Sequence, residues 1–169
     1  MVRQAGPLVW IALLAAACSA GVTGGREAAS VKRVGDGDSF ALQGGKRVRL
    51  LQVDAPELGE GECYAEQAAQ LLRALLRPGE AVELEADPAL DGADRYGRLL
   101  RYTFADGLNM SVELVRQGAA TPYFRAGERG RYADELLAAV DLARDERRGM
   151  WAVCRVTWSP ARLVETDPR

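Results

Sequence analysis

The sequence predicts an α+β fold in which five β-strands form a barrel and three α-helices pack against it. Two patterns support this prediction. Five short segments alternate apolar and polar residues, as strands with one buried face do, and three other segments repeat their apolar residues with a helical period. One helical segment interrupts the strands and two follow them, an order that favours α+β over parallel βαβ units.

The predicted strands are bounded by residues that favour turns. A Gly-Asp-Gly-Asp turn at residues 35–38 separates the first two strands, and a Gly-Gly pair precedes the third. The third strand is expected to place Arg49, Leu51 and Val53 on one face and to end before Pro56, which has no N–H for a sheet. Five such strands can close into an OB-type barrel. The predicted strands span residues 31–34, 39–43, 47–53, 82–86 and 96–104.

Three helices are predicted from apolar periodicity and end signals. The first places Ala65, Ala68, Leu72 and Leu75 on one face and stops before a Pro-Gly pair. Asn109 is expected to cap the second helix, which ends at a glycine. The predicted helices span residues 64–76, 110–117 and 131–148.

The first twenty residues have the pattern of a secretory signal. One arginine precedes an apolar run from Leu8 to Ala17 that ends in small residues and is too short to span a bilayer. Residues 1–20 are therefore predicted to direct export to the periplasm, the cell envelope or the medium. Cys18 follows three alanines, which fits lipidation of that cysteine as well as ordinary cleavage.

The remaining chain is divided by composition into three parts. Residues 21–30 are small and polar and are predicted to be a flexible linker. The folded domain is assigned to residues 31–154, and residues 155–169 are assigned to a C-terminal tail. One domain of this size is expected to be a monomer, attached to a membrane only if Cys18 is lipidated.

The three cysteines suggest one covalent cross-link. If Cys18 carries a lipid, Cys63 and Cys154 remain as a pair in an oxidising compartment, where they can form a disulfide. Two unpaired buried thiols are the alternative.

The composition excludes several classes of active site. The chain has no histidine, so a Ser-His-Asp triad, a Cys-His pair and a His-based zinc site are all excluded. The formal net charge is -2, so any affinity for nucleic acid must come from a local arginine cluster or a bound cation.

Three short segments carry the residues of a possible phosphodiesterase site. They are residues 36–39 (Asp-Gly-Asp-Ser), 49–57 (Arg-Leu-Leu-Gln-Val-Asp-Ala-Pro-Glu) and 94–98 (Asp-Arg-Tyr-Gly-Arg). Carboxylates from two turns, Asp38 and Asp54, can converge on a hard cation such as Ca²⁺, and nearby arginines can bind phosphate oxygens. Ordinary turn chemistry for the aspartates and surface ion pairs for the arginines are the alternatives.

The three segments, together with residues 114–118 (Leu-Val-Arg-Gln-Gly), resemble the staphylococcal (micrococcal) nuclease-like family in the same order. The resemblance runs from about Val31 to Trp151. It implies a five-stranded OB barrel with three α-helices, in agreement with the periodicity.

The resemblance also implies roles for individual residues. Asp38 and Asp54 correspond to the calcium carboxylates, and Ala55 replaces a threonine that serves the metal through its carbonyl oxygen. Glu57 corresponds to the carboxylate that orients or deprotonates the attacking water. The remaining correspondences are Arg49 and Arg98 to the two phosphate-binding arginines, Asp36 to a carboxylate near the metal, Ser39 to a threonine hydroxyl, Arg95 and Tyr96 to contacts with a terminal phosphate, and Tyr123 or Phe124 to a base-stacking ring.

The resemblance implies calcium-dependent hydrolysis of DNA or RNA with low sequence specificity, on the 5′ side of the phosphodiester. The alternative is an OB-fold module at the cell envelope that binds nucleic acid or protein with little catalysis. The chain differs from the best-known members of the family in its net acidity. Glu60 and Glu62 near the expected site should repel the substrate further.

Overall fold

The computed structural model describes residues 25–169. The predicted signal segment at 1–20 and the candidate lipidation site Cys18 lie outside the described residues. Within residues 25–169, no helix has the length and apolar character needed to cross a membrane.

The described residues form ten β-strands and four α-helices, with two short 3₁₀ helices at Leu58–Glu60 and Arg125–Gly127. The strands are β1 (Glu27–Asp36), β2 (Ser39–Leu42), β3 (Arg47–Leu50), β4 (Val53–Asp54), β5 (Ala81–Glu85), β6 (Leu99–Ala105), β7 (Leu108–Asn109), β8 (Thr121–Pro122), β9 (Cys154–Ser159) and β10 (Arg162–Pro168). The helices are α1 (Ala65–Leu75), α2 (Met110–Arg116), α3 (Ala133–Asp145) and α4 (Met150–Val153).

Five strands close into a mixed barrel, as the sequence predicts. They are hydrogen-bonded in the order β3-β2-β1-β5-β6, and a parallel pairing between β3 and β6 completes the circle. Alternate residues point inward, so Val31, Val48 and Leu84 are buried in the core. Closure leaves few free strand edges and places the ends of β3 and the start of β6 side by side.

The three predicted helices are confirmed, with shorter ends. Helix α1 buries Ala65, Ala68 and Leu72 against the barrel, as expected from their spacing. The side chain of Asn109 accepts a hydrogen bond from the N–H of Ser111 at 3.0 Å, so it caps α2 as predicted. Helix α4 is a further single turn between α3 and β9.

The third predicted strand is interrupted where the sequence suggested continuity. Strand β3 ends at Leu50, and Gln52 adopts a φ of 58°, a left-handed conformation that a regular strand cannot contain. The prediction that Arg49, Leu51 and Val53 share one face is therefore wrong. The bend turns Val53 and Asp54 into a separate short strand, which pairs with β8.

The linker assigned to residues 21–30 ends earlier than expected. Strand β1 begins at Glu27, and residues 27–30 pair with β5 in antiparallel register. Beside this pairing, the guanidinium of Arg26 lies 3.4 Å from the ring centroid of Phe104 and bonds to Glu83 and Glu85. Backbone pairing and these contacts order a segment whose composition alone indicated flexibility.

The segment assigned to a C-terminal tail, residues 155–169, is instead a β-hairpin of β9 and β10. Val164 is buried with Met150 and Cys154 in a small apolar cluster. Trp158 donates its ring N–H to the carbonyl of Pro122 at 2.8 Å, which ties β9 to the end of β8. The hairpin is therefore part of the folded domain.

A disulfide joins this hairpin to the loop before α1. Cys63 and Cys154 are bonded, with Cα atoms 6.0 Å apart and a sequence separation of 91, as the cysteine count predicted. The bond links two segments that are distant in sequence and therefore restricts the unfolded chain.

Replacing both cysteines, Cys63→Ser with Cys154→Ser, is expected to lower the free energy of unfolding by about 4–5 kcal/mol, the loop-closure entropy of a cross-link of this span. The measurement is guanidinium denaturation at equilibrium. Reducing agent should lower the stability of the natural protein and leave the double variant unchanged. An unfolding midpoint of the natural protein that does not respond to reductant would contradict the cross-link.

Candidate active site

Arg49 is held between two buried carboxylates. Its Nη2 donates to Asp54 Oδ1 at 2.9 Å, and its Nη1 contacts Asp38 Oδ2. The pairing of β2 with β3 brings Arg49 to Asp38. Arg49 lies opposite Ser39 in this register, and the N–H of Leu50 donates to the carbonyl of Asp38 at 2.9 Å. The bend after β3 then brings Asp54 to the guanidinium of Arg49. The barrel thus joins two of the three predicted motifs.

The turn that carries Asp38 packs closely on Ala55 because Gly37 has no side chain. A Cβ at Gly37 would lie 2.7 Å from the Cβ of Ala55 and 3.1 Å from that of Ala68, closer than carbon atoms normally approach. The close approach allows the N–H of Ala55 to donate to Asp38 Oδ2 at 3.2 Å. Asp38, Asp54 and Ala55, the predicted metal ligands, therefore lie together.

Asp54 receives a contact that the sequence did not indicate. The N–H of Val164, in β10, donates to Asp54 Oδ2 at 2.8 Å, so both carboxylate oxygens have partners. Burial raises the pKa of Asp54, although Arg49 and this N–H act in the opposite direction.

Glu57 and Asp36 lie next to this cluster. Glu57 is largely exposed, but partial burial of its carboxyl group and the adjacent carboxyl of Asp36 raise its pKa to about 7. The N–H of Glu57 donates to Glu62 Oε2 at 2.6 Å. Glu62, expected only to repel the substrate, therefore also holds the backbone of Glu57.

Arg98 reaches the same region through the parallel pairing that closes the barrel. Val48 pairs with Leu99 and Arg49 with Leu100, so Arg98 lies just before the paired residues. Burial lowers the pKa of Arg49; Asp54 opposes this change, and the positive charge of Arg98 adds to it. The charge of Arg98, in the third motif, therefore acts on Arg49, which contacts carboxylates of the first two motifs.

Asp94 positions Arg98. Arg98 Nε donates to Asp94 Oδ2 at 2.6 Å, while the backbone N–H groups of Tyr96 and Arg98 both donate to Asp94 Oδ1 at 2.9 Å. Partial burial opposes the ionised form of Asp94, but these bonds together lower its pKa. Since Nε is engaged by Asp94, the Nη groups of Arg98 remain for a ligand.

A cleft of about 380 Å³ opens beside Arg49 and Arg98. The cleft is lined by Arg95, Tyr96 and Tyr123, the three residues predicted to contact substrate. Tyr96 is 58% exposed, and the guanidinium of Arg95 lies 4.7 Å from its ring centroid. Tyr123 lines the cleft, whereas Phe124, the other stacking candidate, is buried in the core.

The predicted metal ligands have the donor chemistry that calcium prefers. Among residues 25–169, no group of three or more His, Cys, Asp or Glu side chains is arranged to hold a metal. Asp38, Asp54 and the backbone of Ala55 offer hard oxygen donors, but Arg49 supplies only one positive charge to two buried carboxylates. Ca²⁺ takes six to eight oxygens, so a bound ion would need further oxygens from water or a substrate phosphate.

The sequence did not indicate the positioning roles of four residues of this region: Gln52, Glu62, Asp94 and Val164. Gln52 fixes the bend after β3, since its side chain accepts from the hydroxyl of Tyr102 and donates to the carbonyl of Glu128. Asp94 stood inside a recognised motif and could have been paired with Arg98 by its spacing of four. Val164 acts through its backbone, so no side-chain pattern could have found it.

Comparison with known proteins finds relatives and a matching family. The endonuclease YhcR of Bacillus subtilis is 30% identical over 72% of the chain, the endonuclease YncB of the same organism is 30% identical over 73%, and the SPbeta prophage-derived endonuclease YokF is 28% identical over 73%. The matched parts make up 11%, 61% and 43% of these relatives, so the chain spans only part of each. Residues 47–153, which contain Arg49, Glu57 and Arg98, match the family described as Staphylococcal nuclease homologue, and the chain belongs to that family.

Proposed function

We propose that the protein is a calcium-dependent nuclease that hydrolyses phosphodiester bonds in DNA or RNA with low sequence specificity. One observation carries the proposal: Arg49, held by Asp38 and Asp54, lies at the edge of a cleft that Arg98 also lines. The family and its endonuclease relatives support nuclease activity.

Asp38, Asp54 and the carbonyl oxygen of Ala55 would hold the calcium ion. Bound Ca²⁺ would supply positive charge to the phosphodiester and to an attacking water. Asp36 lies beside Glu57, and its negative charge favours a proton on that neighbour.

Glu57 is the proposed general base. It removes a proton from water as the water oxygen attacks phosphorus, the bond to the 5′ oxygen breaks, and the leaving oxygen takes up a proton. The raised pKa of Glu57 suits a group that must both accept and release a proton near neutral pH. Its backbone bond to Glu62 keeps the carboxylate at the rim of the site.

Arg49 and Arg98 are proposed to bind the phosphate and to stabilise the charge that develops on it. A guanidinium can donate two parallel hydrogen bonds to phosphate oxygens, and donors fixed in advance stabilise a transition state most effectively. Asp94 fixes Arg98 in this way. Arg95, Tyr96 and Tyr123 would hold the neighbouring phosphate and base along the cleft.

The competing proposal is a binding module that holds nucleic acid or protein without cleavage. It predicts that the arginine–glutamate set is incomplete, and Arg49, Glu57 and Arg98 are all present. Cleavage assays separate the two proposals.

We also propose that the protein acts outside the cytoplasm, as a monomer, and reaches a membrane only through lipid on Cys18. The disulfide supports an oxidising compartment, and the sequence before residue 21 supports export.

Calcium removal should abolish activity. With denatured DNA as substrate, we expect cleavage in Ca²⁺, no cleavage after addition of a calcium chelator, and recovery when excess Ca²⁺ is restored, because the phosphodiester loses its neutralising charge without the ion. Release of acid-soluble nucleotides measures the effect. Equal cleavage with and without chelator would exclude the calcium dependence.

Glu57→Gln removes the base but retains the size and hydrogen-bonding capacity of the side chain. We expect kcat to fall about 10²- to 10⁴-fold, with little change in KM, because proton transfer is lost while binding remains. The matched control is Glu60→Gln, an exposed glutamate in the same loop, which should retain full kcat. Equal activity of the two variants would remove Glu57 from the mechanism.

Arg49→Lys and Arg98→Lys retain the charge but remove the planar fork. Each should lower kcat/KM about 10²- to 10³-fold, as expected for loss of one fixed transition-state donor. Arg77→Lys, at an exposed arginine after α1, is the control and should behave like the natural protein. If lysine restored full activity at both positions, only charge would matter there, and the bidentate role would be incorrect.

A further inference from the structure

Strand β10 directs one of its edges towards the candidate active site. In an extended strand, the backbone groups of alternate residues point to opposite edges. The N–H of Val164 donates to Asp54, and the carbonyl of Thr166 accepts from the N–H of Cys63 at 3.2 Å. The backbone of Val164 therefore points to Asp54 and that of Thr166 to the Cys63 loop. By the same alternation, the backbone groups of Glu165 and Asp167 are expected to point to the opposite edge, where β9 lies.

An irregularity in the hairpin makes the Val164 N–H available. The register between β9 and β10 shifts between Arg162 and Glu165, as in a β-bulge. A bulge releases backbone groups from the ladder and changes their direction. Here the released N–H lies 2.8 Å from Asp54 Oδ2 in a buried position, where a hydrogen bond to a carboxylate is strong.

The same strand holds the loop that carries Glu57. Thr166 Oγ1 donates to the carbonyl of Cys63 at 2.7 Å, so Thr166 and Cys63 each donate one hydrogen bond to the other. Cys63 follows Glu62, which holds the N–H of Glu57, and is itself bonded to Cys154 at the start of β9. One hairpin therefore contacts both the Asp54 carboxylate and the Glu57 loop.

We propose that β10 is a positioning element of the active site: the Val164 N–H orients the Asp54 carboxylate for calcium, and Thr166 fixes the loop that presents Glu57. This inference rests on the proposed nuclease function. Neither residue contacts the reacting atoms, so their effect must pass through Asp54 and Glu57. Partners of metal-binding carboxylates commonly change metal affinity about 10- to 100-fold when removed.

The direct test deletes a single N–H. Residues 154–169 can be made as a synthetic peptide and ligated at Cys154 to the preceding chain. An ester in place of the Leu163–Val164 amide retains the valine side chain but cannot donate to Asp54. The matched control is an ester in place of the adjacent Val164–Glu165 amide, at the residue that pairs with Thr157 of β9.

Calcium binding by calorimetry is the readout, alongside kinetics and the unfolding midpoint. We expect the Val164 ester to weaken Ca²⁺ binding about ten-fold or more, with kcat recovered at saturating Ca²⁺ and KM for DNA unchanged. The Glu165 ester should bind Ca²⁺ as the all-amide protein does. Equal Ca²⁺ affinity in the two esters would overturn the role of Val164.

A genetic variant tests the second contact without ligation. Thr166→Val removes the hydroxyl at nearly constant volume and should lower kcat about ten-fold at saturating Ca²⁺, whereas Thr166→Ser should restore it. Equal kcat for both variants would overturn the role of Thr166. If the natural protein neither bound Ca²⁺ nor cleaved DNA, the proposed function would fail, and this inference with it. Normal binding and cleavage with silent variants would reject the inference alone.

Discussion

The contact of Arg49 with two buried carboxylates is the constraint on which the rest of the site depends. Asp38 and Asp54 are each only 3% exposed, and buried charges are unfavourable unless they are paired. The β2–β3 pairing brings one carboxylate to Arg49, and the bend at Gln52 brings the other. One guanidinium balances only one of the two charges, and this imbalance supports the calcium ion that we propose between them.

Much of the site could be predicted because its side chains lie in short segments with strong local signals. Turn residues located Asp38, and Pro56 ended the strand before Glu57, so both were placed correctly at strand ends. Closure of the barrel was expected from the strand order, and it is the β3–β6 pairing that brings Arg98 beside Arg49. The positions of the strands and turns follow from periodicity and turn chemistry, which are properties of neighbouring residues, whereas the expected roles of the site residues came from the resemblance to the nuclease family.

The remaining features depend on backbone geometry and on distant contacts. The left-handed conformation of Gln52 was not predicted because glutamine rarely adopts it and tertiary hydrogen bonds hold it there. The C-terminal hairpin was assigned to a tail, although Val156 and Trp158 alternate with polar residues as in a strand. Its contribution to Asp54 is a backbone N–H, which any residue except proline can supply.

The most direct test of this account is the location of calcium in a crystal grown with Ca²⁺ and a nucleotide inhibitor. Anomalous scattering identifies the ion independently of the surrounding density. We expect one anomalous peak in contact with carboxylate oxygens of Asp38 and Asp54. A crystal in which the ion is absent, or bound away from Asp38 and Asp54, would contradict the proposed site.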